Sequence, residues 1–324
     1  MAPVPSDPES FTRKSCTANG IHIEYVDENE QSDNIILLIH GWPDLWLGWR
    51  EQIPFLVNLG YRVIVPSLRG FGNTDAPEDP KEYGYATVSN DLNALLDHLK
   101  VKMPIIVVGH DWGGFVAWRF TQFYPERVKA VASFCTPYAP PPAAYVPLED
   151  IVKALPNFSY QLYLVTPEAE KDLNENFEKF FKRIYRPISD SKGALIDPET
   201  KTMAAGRPDV ERSEMLPQKV LDFYVKTYQA RGARGGLNWY KQTKNNFEQC
   251  KHLGKTIDKP AMMVTADGDR ALPPSMASKM GDYIPDLEMH NIQGAGHWVL
   301  WEKPNECNAY LKGWLAKVDS GSRL

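Results

Sequence analysis

The residues most able to do chemistry are Gly109-His110-Asp111-Trp112-Gly113-Gly114, which follow directly on Ile105-Ile106-Val107-Val108. The apolar, β-branched run has the make-up of a strand buried on both faces. Phe115 to Tyr124 reads as a helix. Small residues at 109, 113 and 114 let the backbone turn sharply between the two without Cβ clashes. Such a turn, a nucleophile elbow of the pattern G-x-S-x-G, presents its central side chain at the start of the helix. Here that side chain is Asp111 rather than serine. A serine would be acylated by esters or amides. A carboxylate instead displaces a leaving group from sp³ carbon and becomes the acyl part of an enzyme ester.

Hydrolysis of such an ester needs three supports. One is a pair of donors for the tetrahedral oxyanion. His40-Gly41-Trp42-Pro43 ends an earlier strand, so the backbone N–H groups of Trp42 and of Trp112, the residue after the nucleophile, suit that role. The second is a base for water. His297 sits in the glycine-rich loop Gly294-Ala295-Gly296-His297-Trp298, after the last strand, at the sheet edge where sites in such folds collect. His22, His98, His252 and His290 read as structural, and His110 as packing beneath the elbow. The third is an acid to orient His297. Ala266-Asp267-Gly268-Asp269 follows one strand, whereas Cys135-Thr136-Pro137-Tyr138 follows another and holds no acid. Spacing alone does not choose between Asp267 and Asp269.

The elements that must position these groups alternate strand and helix. Asn19-Gly20 is a hairpin turn ahead of the alternating Ile21, Ile23 and Tyr25. Strands are expected at 35–39, 61–65, 105–109, 128–134, 261–265 and 287–292. Helices are expected at 46–58, along Val88, Leu92, Leu95, Leu96 and Leu99, and after Pro304. This rhythm implies an α/β fold with a mostly parallel sheet of about eight strands and helices on both faces. It breaks after Tyr138, where helical pattern and dense aromatics run to about Lys259. The expected organisation is a core of 1–138 and 260–324 with a helical cap, 139–259, inserted after the sixth strand. Within the cap, the 190s to about 213 read as a mobile loop.

The chain has 324 residues, 43% hydrophobic and 24% charged, as in soluble globular proteins. A net charge of -5 offers nothing to nucleic acid or an anionic membrane. The four cysteines stand far apart without metal spacing, which points to free thiols and a reducing compartment. No apolar run approaches a membrane span, and the Pro-rich, acidic start lacks the features of a signal peptide. A cytoplasmic protein is expected. The last residues, Ser322-Arg323-Leu324, resemble the S-K-L peroxisomal address with Arg for Lys.

Over nearly its whole length the chain resembles the α/β-hydrolase superfamily, and within it the single-domain, cap-bearing soluble epoxide hydrolases. The matching segments are H-G-W-P at 40–43, P-S-L-R-G-F-G at 66–72, G-H-D-W-G-G at 109–114, V-T-A-D-G-D at 264–269 and G-A-G-H-W at 294–298. The resemblance implies the α/β-hydrolase fold, assigns the acid to Asp269 and leaves Asp267 as a turn residue. Haloalkane dehalogenases share the Asp elbow, but many of them carry Asn where Trp42 stands. Two cap stretches, Phe158 to Tyr163 and Gly236 to Tyr240, look like the epoxide hydrolase cap motifs. They imply that Tyr160 and Tyr240 donate to the epoxide oxygen as the ring opens, a role that fits phenols, whose pKa of about 10 leaves them protonated at neutral pH. Tyr163, Tyr185, Tyr224 and Tyr228 read as packing, and Arg231 and Arg234 as solvating a glycine-rich loop. The implied activity is conversion of a small apolar epoxide and water to a vicinal diol, with no cofactor or metal. Phe158, Phe177, Phe180, Phe181 and Trp239 either favour an apolar substrate or only pack the cap helices. The alternatives are a haloalkane dehalogenase and, from another class, a ligand-binding receptor on the same fold.

Overall fold

The structure, a computed structural model, describes residues 3–321. Ser322-Arg323-Leu324 lies outside the described residues.

Eight strands form one sheet: β1 (Arg13–Ala18), β2 (Ile21–Glu28), β3 (Ile35–Ile39), β4 (Arg62–Pro66), β5 (Ile105–His110), β6 (Val128–Phe134), β7 (Ala261–Ala266) and β8 (Leu287–Ile292). Their order is β1-β2-β4-β3-β5-β6-β7-β8. Asn19 and Gly20 both take positive φ, 49° and 77°, and so make the tight turn that pairs Ala18 with Ile21. β1 and β2 run antiparallel to their neighbours, and from β4 onward all pairs are parallel. Every residue of β5 and β7 is buried, as expected for strands covered on both faces. The edge strand β8 alternates between partly buried and exposed positions until Ile292.

The core helices are α1 (Gln52–Asn58), α2 (Tyr85–His98) and α3 (Trp112–Phe123). The expected single helix over 46–58 is two pieces, a 3-10 turn at Trp46–Trp49 and then α1. Pro54 has no N–H to offer the carbonyl four residues back, so α-helical bonding cannot run through from Trp46. α3 begins three residues before the apolar pattern suggests. The Gly114 and Phe115 N–H groups both donate to the Asp111 carbonyl, at 2.9 and 3.4 Å, so helical bonding starts from the nucleophile's own peptide.

Between β6 and β7 every described strand or α-helix is a helix: α4 (Leu148–Ala154), α5 (Tyr160–Leu164), α6 (Pro167–Ile184), α7 (Gln218–Arg231), α8 (Arg234–Asn238) and α9 (Thr243–Cys250). α6 is strongly amphipathic. Its buried Phe177 and Phe181 meet α7, Phe177 against Tyr228 and Phe181 edge-on to both Tyr224 and Tyr228. The stretch expected to be a mobile loop is irregular but tied down. The Asp172 carboxylate accepts from the N–H groups of Met203, Ala204 and Ala205, and the Arg207 guanidinium donates to the carbonyls of Ala194, Leu195 and Met203. The chain ends with α10 (Val299–Glu302) and α11 (Pro304–Ser320).

β3 leads out to β4 on one side of the sheet while β5 pairs on its other side, with Ile39 opposite Gly109. The carboxyl ends of β3 and β5 therefore lie together where the strand order reverses, the crevice in which ligands of open α/β sheets bind.

Candidate active site

The elbow is built on close backbone approach. A Cβ on Gly113 would stand 2.0 Å from the Ile39 carbonyl oxygen, and one on Gly109 2.1 Å from that of Gly113. Asp111 sits at φ 53°, ψ -127°, a conformation uncommon for a residue with a side chain. Thr136, just past β6, donates its hydroxyl to the Asp111 carbonyl at 2.7 Å and braces the turn. No motif in Cys135-Thr136-Pro137-Tyr138 marks this hydroxyl in the sequence.

Asp111 is buried, and its carboxylate divides its oxygens between two partners. Oδ1 accepts from the Trp42 N–H at 2.7 Å, and Oδ2 lies 3.3 Å from His297 Nε2. Gly41 permits this approach, since a Cβ there would fall 2.2 Å from Oδ1. His297 Nδ1 is 2.7 Å from Asp269 Oδ2. Asp269 is in turn held through Oδ1 by the N–H groups of Ala271 and Leu272, both at 2.9 Å. Of the two acids spacing left open, Asp269 meets His297. Asp267 accepts from the Gly294 N–H at 2.8 Å and shapes the same loop three residues earlier. Trp112 opens α3, so its N–H belongs to the first turn, where helix donors have no intrahelical partner.

Burial opposes a charge on His297, but the Asp269 and Asp111 carboxylates outweigh it and hold its pKa well above the ordinary histidine value. Burial likewise opposes charge on Asp269, yet His297 and the Leu272 and Ala271 N–H groups bring its pKa below the usual carboxylate value. His110 lies beneath the elbow as expected. Burial, helped by the nearby His297 charge, lowers its pKa to about 4 and keeps it neutral. Its Nε2 bonds the His297 carbonyl at 2.8 Å. Cys135 Sγ reaches the same carbonyl at 3.5 Å. His110, Cys135 and His297 thus form a group of potential metal ligands. Their donors already brace one peptide, and burial pushes the Cys135 thiol well up, away from the thiolate a metal needs.

Above the sheet lies a cavity of about 780 Å³ that Trp42, Asp111, His297, Tyr160 and Tyr240 all line. Tyr160 begins α5 and Tyr240 lies in the 3-10 turn Trp239–Lys241. Their rings meet edge-on, with centroids 6.2 Å apart. Tyr240 also stands edge-on to Trp42 and to Trp112, at 5.4 and 5.2 Å. Burial raises the pKa of both tyrosines, the Asp111 charge adds to it, and both stay protonated. Leu162, Ile184, Leu195, Ile196 and Met203 supply apolar wall, and Arg183, Lys192 and Lys201 also reach the cavity. The five aromatic residues read as favouring an apolar substrate or packing the cap do not line it. Phe177, Phe180 and Phe181 pack against one another and Tyr228, and Trp239 packs on Phe71 and Trp112 while its Nε1 donates to the Arg69 carbonyl.

Tyr185, Tyr224 and Tyr228 are buried, as packing residues should be, but their hydroxyls do more. Tyr185 and Tyr228 donate to the Pro43 carbonyl at 3.3 and 2.7 Å, and Tyr224 donates to Asp44 Oδ1, all on the loop just after Trp42. Tyr163 instead lines the cavity and donates to Asp172 at 3.0 Å. Arg231 donates to the Gly72 carbonyl and Arg234 pairs with Glu170, so neither is part of the cavity.

Fold and site together define a class, an α/β-hydrolase scaffold with a carboxylate at the nucleophile turn. Residues 34–304 match the alpha/beta hydrolase fold family model. The chain is 35% identical over 97% of its length to bifunctional epoxide hydrolase 2 of Mus musculus, and spans 57% of that protein. It is 32% identical to epoxide hydrolase A of Mycobacterium tuberculosis, covering 95% of this chain and 98% of that one. The crystal structure of epoxide hydrolase A from Mycobacterium thermoresistibile superposes with a TM-score of 0.83 at 31% identity, over 94% of this chain and 98% of the other. The chain belongs to the alpha/beta hydrolase fold family and, within it, to the epoxide hydrolases.

Proposed function

We propose that this protein hydrolyses epoxides to vicinal diols in two covalent steps. Tyr160 and Tyr240 hold the epoxide oxygen. Asp111 attacks a ring carbon in line, the C–O bond breaks, and the alkoxide takes a proton from a tyrosine, leaving a hydroxyalkyl ester on Asp111. His297, oriented by Asp269, then removes a proton from water. The hydroxide adds to the ester carbonyl while the Trp42 and Trp112 N–H groups receive the oxyanion. Collapse expels the diol oxygen, which takes the proton of the new carboxyl group, so the diol and the Asp111 carboxylate separate, and the proton held on His297 returns to the tyrosinate. In this reading 1–138 and 260–324 are the catalytic core, and 139–259 is the cap that brings both tyrosines. The apolar wall of the cavity supports an epoxide carried on an apolar body.

The observation that carries the reading is the division of the Asp111 carboxylate between the Trp42 N–H and His297 Nε2, in a cavity that Tyr160 and Tyr240 share. The test is a panel of aliphatic and aryl epoxides and matched haloalkanes. Diol from the epoxides without halide from the haloalkanes is the expected result. Halide without diol assigns a dehalogenase, and saturable binding with neither product assigns a receptor.

A further inference from the structure

One short segment of the insert touches both loops that the hydrolysis half of the reaction uses. Tyr185 donates to the Pro43 carbonyl, next to Trp42, and its ring stacks on Trp301 with centroids 4.2 Å apart. Three residues on, the Ile188 N–H donates to Glu302 Oε2 at 2.9 Å. The other oxygen of that carboxylate, Oε1, accepts from the Gly296 N–H, also at 2.9 Å. Gly296 immediately precedes His297, and Glu302 ends α10 in the cavity wall. The Tyr185 ring also packs on Trp298 of the base loop, with centroids 4.6 Å apart, and the other hydrogen-bonding partners of that loop belong to the core: Asp269 on the ring, His110 and Cys135 on the carbonyl and Asp267 on Gly294. Glu302 alone among these also grips the insert.

We infer that Glu302 is a positioning residue that makes hydrolysis of the enzyme ester depend on the seating of the insert, by tying Ile188 to the peptide before His297. The inference rests on the two-step reading above. The two N–H donors reach opposite oxygens of the Glu302 carboxylate, so an amide there sets its NH₂ against one of them. Ester formation uses Asp111 and the tyrosines. His297 enters as a base only in the second step, where misplacement by about 1 Å can cost about a hundredfold. Loosening the tie therefore slows breakdown of the ester and spares its formation.

The test separates the steps by rapid-quench single turnover, with intact-mass measurement of the ester. Glu302→Gln keeps the volume but loses one acceptor. Ile188→Pro removes the opposing N–H. Pro187 at φ -64°, ψ 153° already has the conformation required before a proline, and the first position of a 3-10 turn tolerates one. Ile188→Ala keeps the N–H and controls for the lost side chain. Glu302→Gln, and Ile188→Pro relative to Ile188→Ala, are each expected to slow ester breakdown about tenfold or more. Ester should accumulate at steady state, ester formation should stay within about twofold, and the double variant should be no slower than the worse single one. Wild-type breakdown rates in Glu302→Gln, an Ile188→Pro variant that behaves like Ile188→Ala, or a parallel fall in both steps would overturn the inference. If no ester forms even in the wild type, the two-step reaction itself fails.

Discussion

Asp111 Oδ2 stands 3.3 Å from Nε2 of His297, so the nucleophile and the base face each other across the point where the ester carbonyl will form. The two residues act in sequence and should fail differently. Asp111→Ala is expected to form no covalent species. His297→Ala should react once and stall as an ester, heavier by the whole epoxide because ring opening expels no atom. Loss of the general base should slow its breakdown by about 10²–10⁴-fold. Intact-mass spectrometry of folded His297→Ala with excess epoxide checks this, and an unmodified mass rules out the covalent route.

In ¹⁸O-water a single wild-type turnover should place the label in Asp111 and not in the diol. The new diol oxygen comes from the carboxylate, which regains its oxygen from water. Direct attack of water on the epoxide would reverse this outcome, and mass analysis of the diol and of the Asp111 peptide distinguishes the two.

Tyr160 and Tyr240 share the cavity and touch ring to ring, so either hydroxyl can partly serve the alkoxide without the other. Tyr160→Phe and Tyr240→Phe should each slow ester formation, and the double variant should nearly stop it, since one general acid contributes about 10²–10⁴-fold. Stopped-flow measurement of ester formation reads this out. Near-normal rates in the double variant would remove both residues from the mechanism.

The pH dependence follows from the charges around His297. Burial works against its protonation, and Asp269 and Asp111 more than compensate, so its pKa is raised in the free protein. Ester formation neutralises Asp111 and removes one of these supports, so the pKa must fall in the intermediate. A protonated His297 cannot accept a proton from water. Ester breakdown should rise with pH through the lowered value and then level off. Asp269→Asn should move that limb to still lower pH and reduce the plateau. Ester formation should hold its rate past the ordinary phenol pKa of about 10, because burial and Asp111 push the pKa of both tyrosines upward. Single-turnover decay across pH tests the first claim, and stopped-flow formation rates test the second.

Two glycine substitutions should separate chemistry from fold. Gly41→Ala drives a Cβ into Asp111 Oδ1 at 2.2 Å and should displace the carboxylate, with activity falling by about a hundredfold. Gly113→Ala meets the Ile39 carbonyl at 2.0 Å and should cost about 1–3 kcal/mol of stability through overpacking, lowering Tm by several degrees. Steady-state rates beside thermal melts of the two variants check the contrast.

Much of this protein is written in consecutive residues. The elbow, the Asn19-Gly20 turn and the buried strands are legible because turn geometry and side-chain period depend only on near neighbours. Pro54 interrupts an apolar pattern that by itself reads as one helix, and it is visible in the sequence to a reader who weighs its missing N–H. Partners far apart in the chain are another matter. Asp267 and Asp269 are two residues apart on one turn, and only the path of the loop after β8 sets which reaches His297. Phe177 and Trp239 look like cavity lining by type, yet packing on Tyr228 in the one case and on Phe71 and Trp112 in the other keeps them out of it. The hydroxyls of Thr136, Tyr185 and Tyr228 and the carboxylate of Glu302 carry no motif. Their partners are backbone groups that any residue could present. Ile188 and Glu302 lie 114 positions apart, and only the docking of the insert on the sheet brings that N–H to that oxygen. The sequence by itself determined which groups could do the chemistry, because their types and local turns are covalent neighbours. Tertiary structure decided which of them meet, because hydrogen bonds between elements exist only once both have been packed in place.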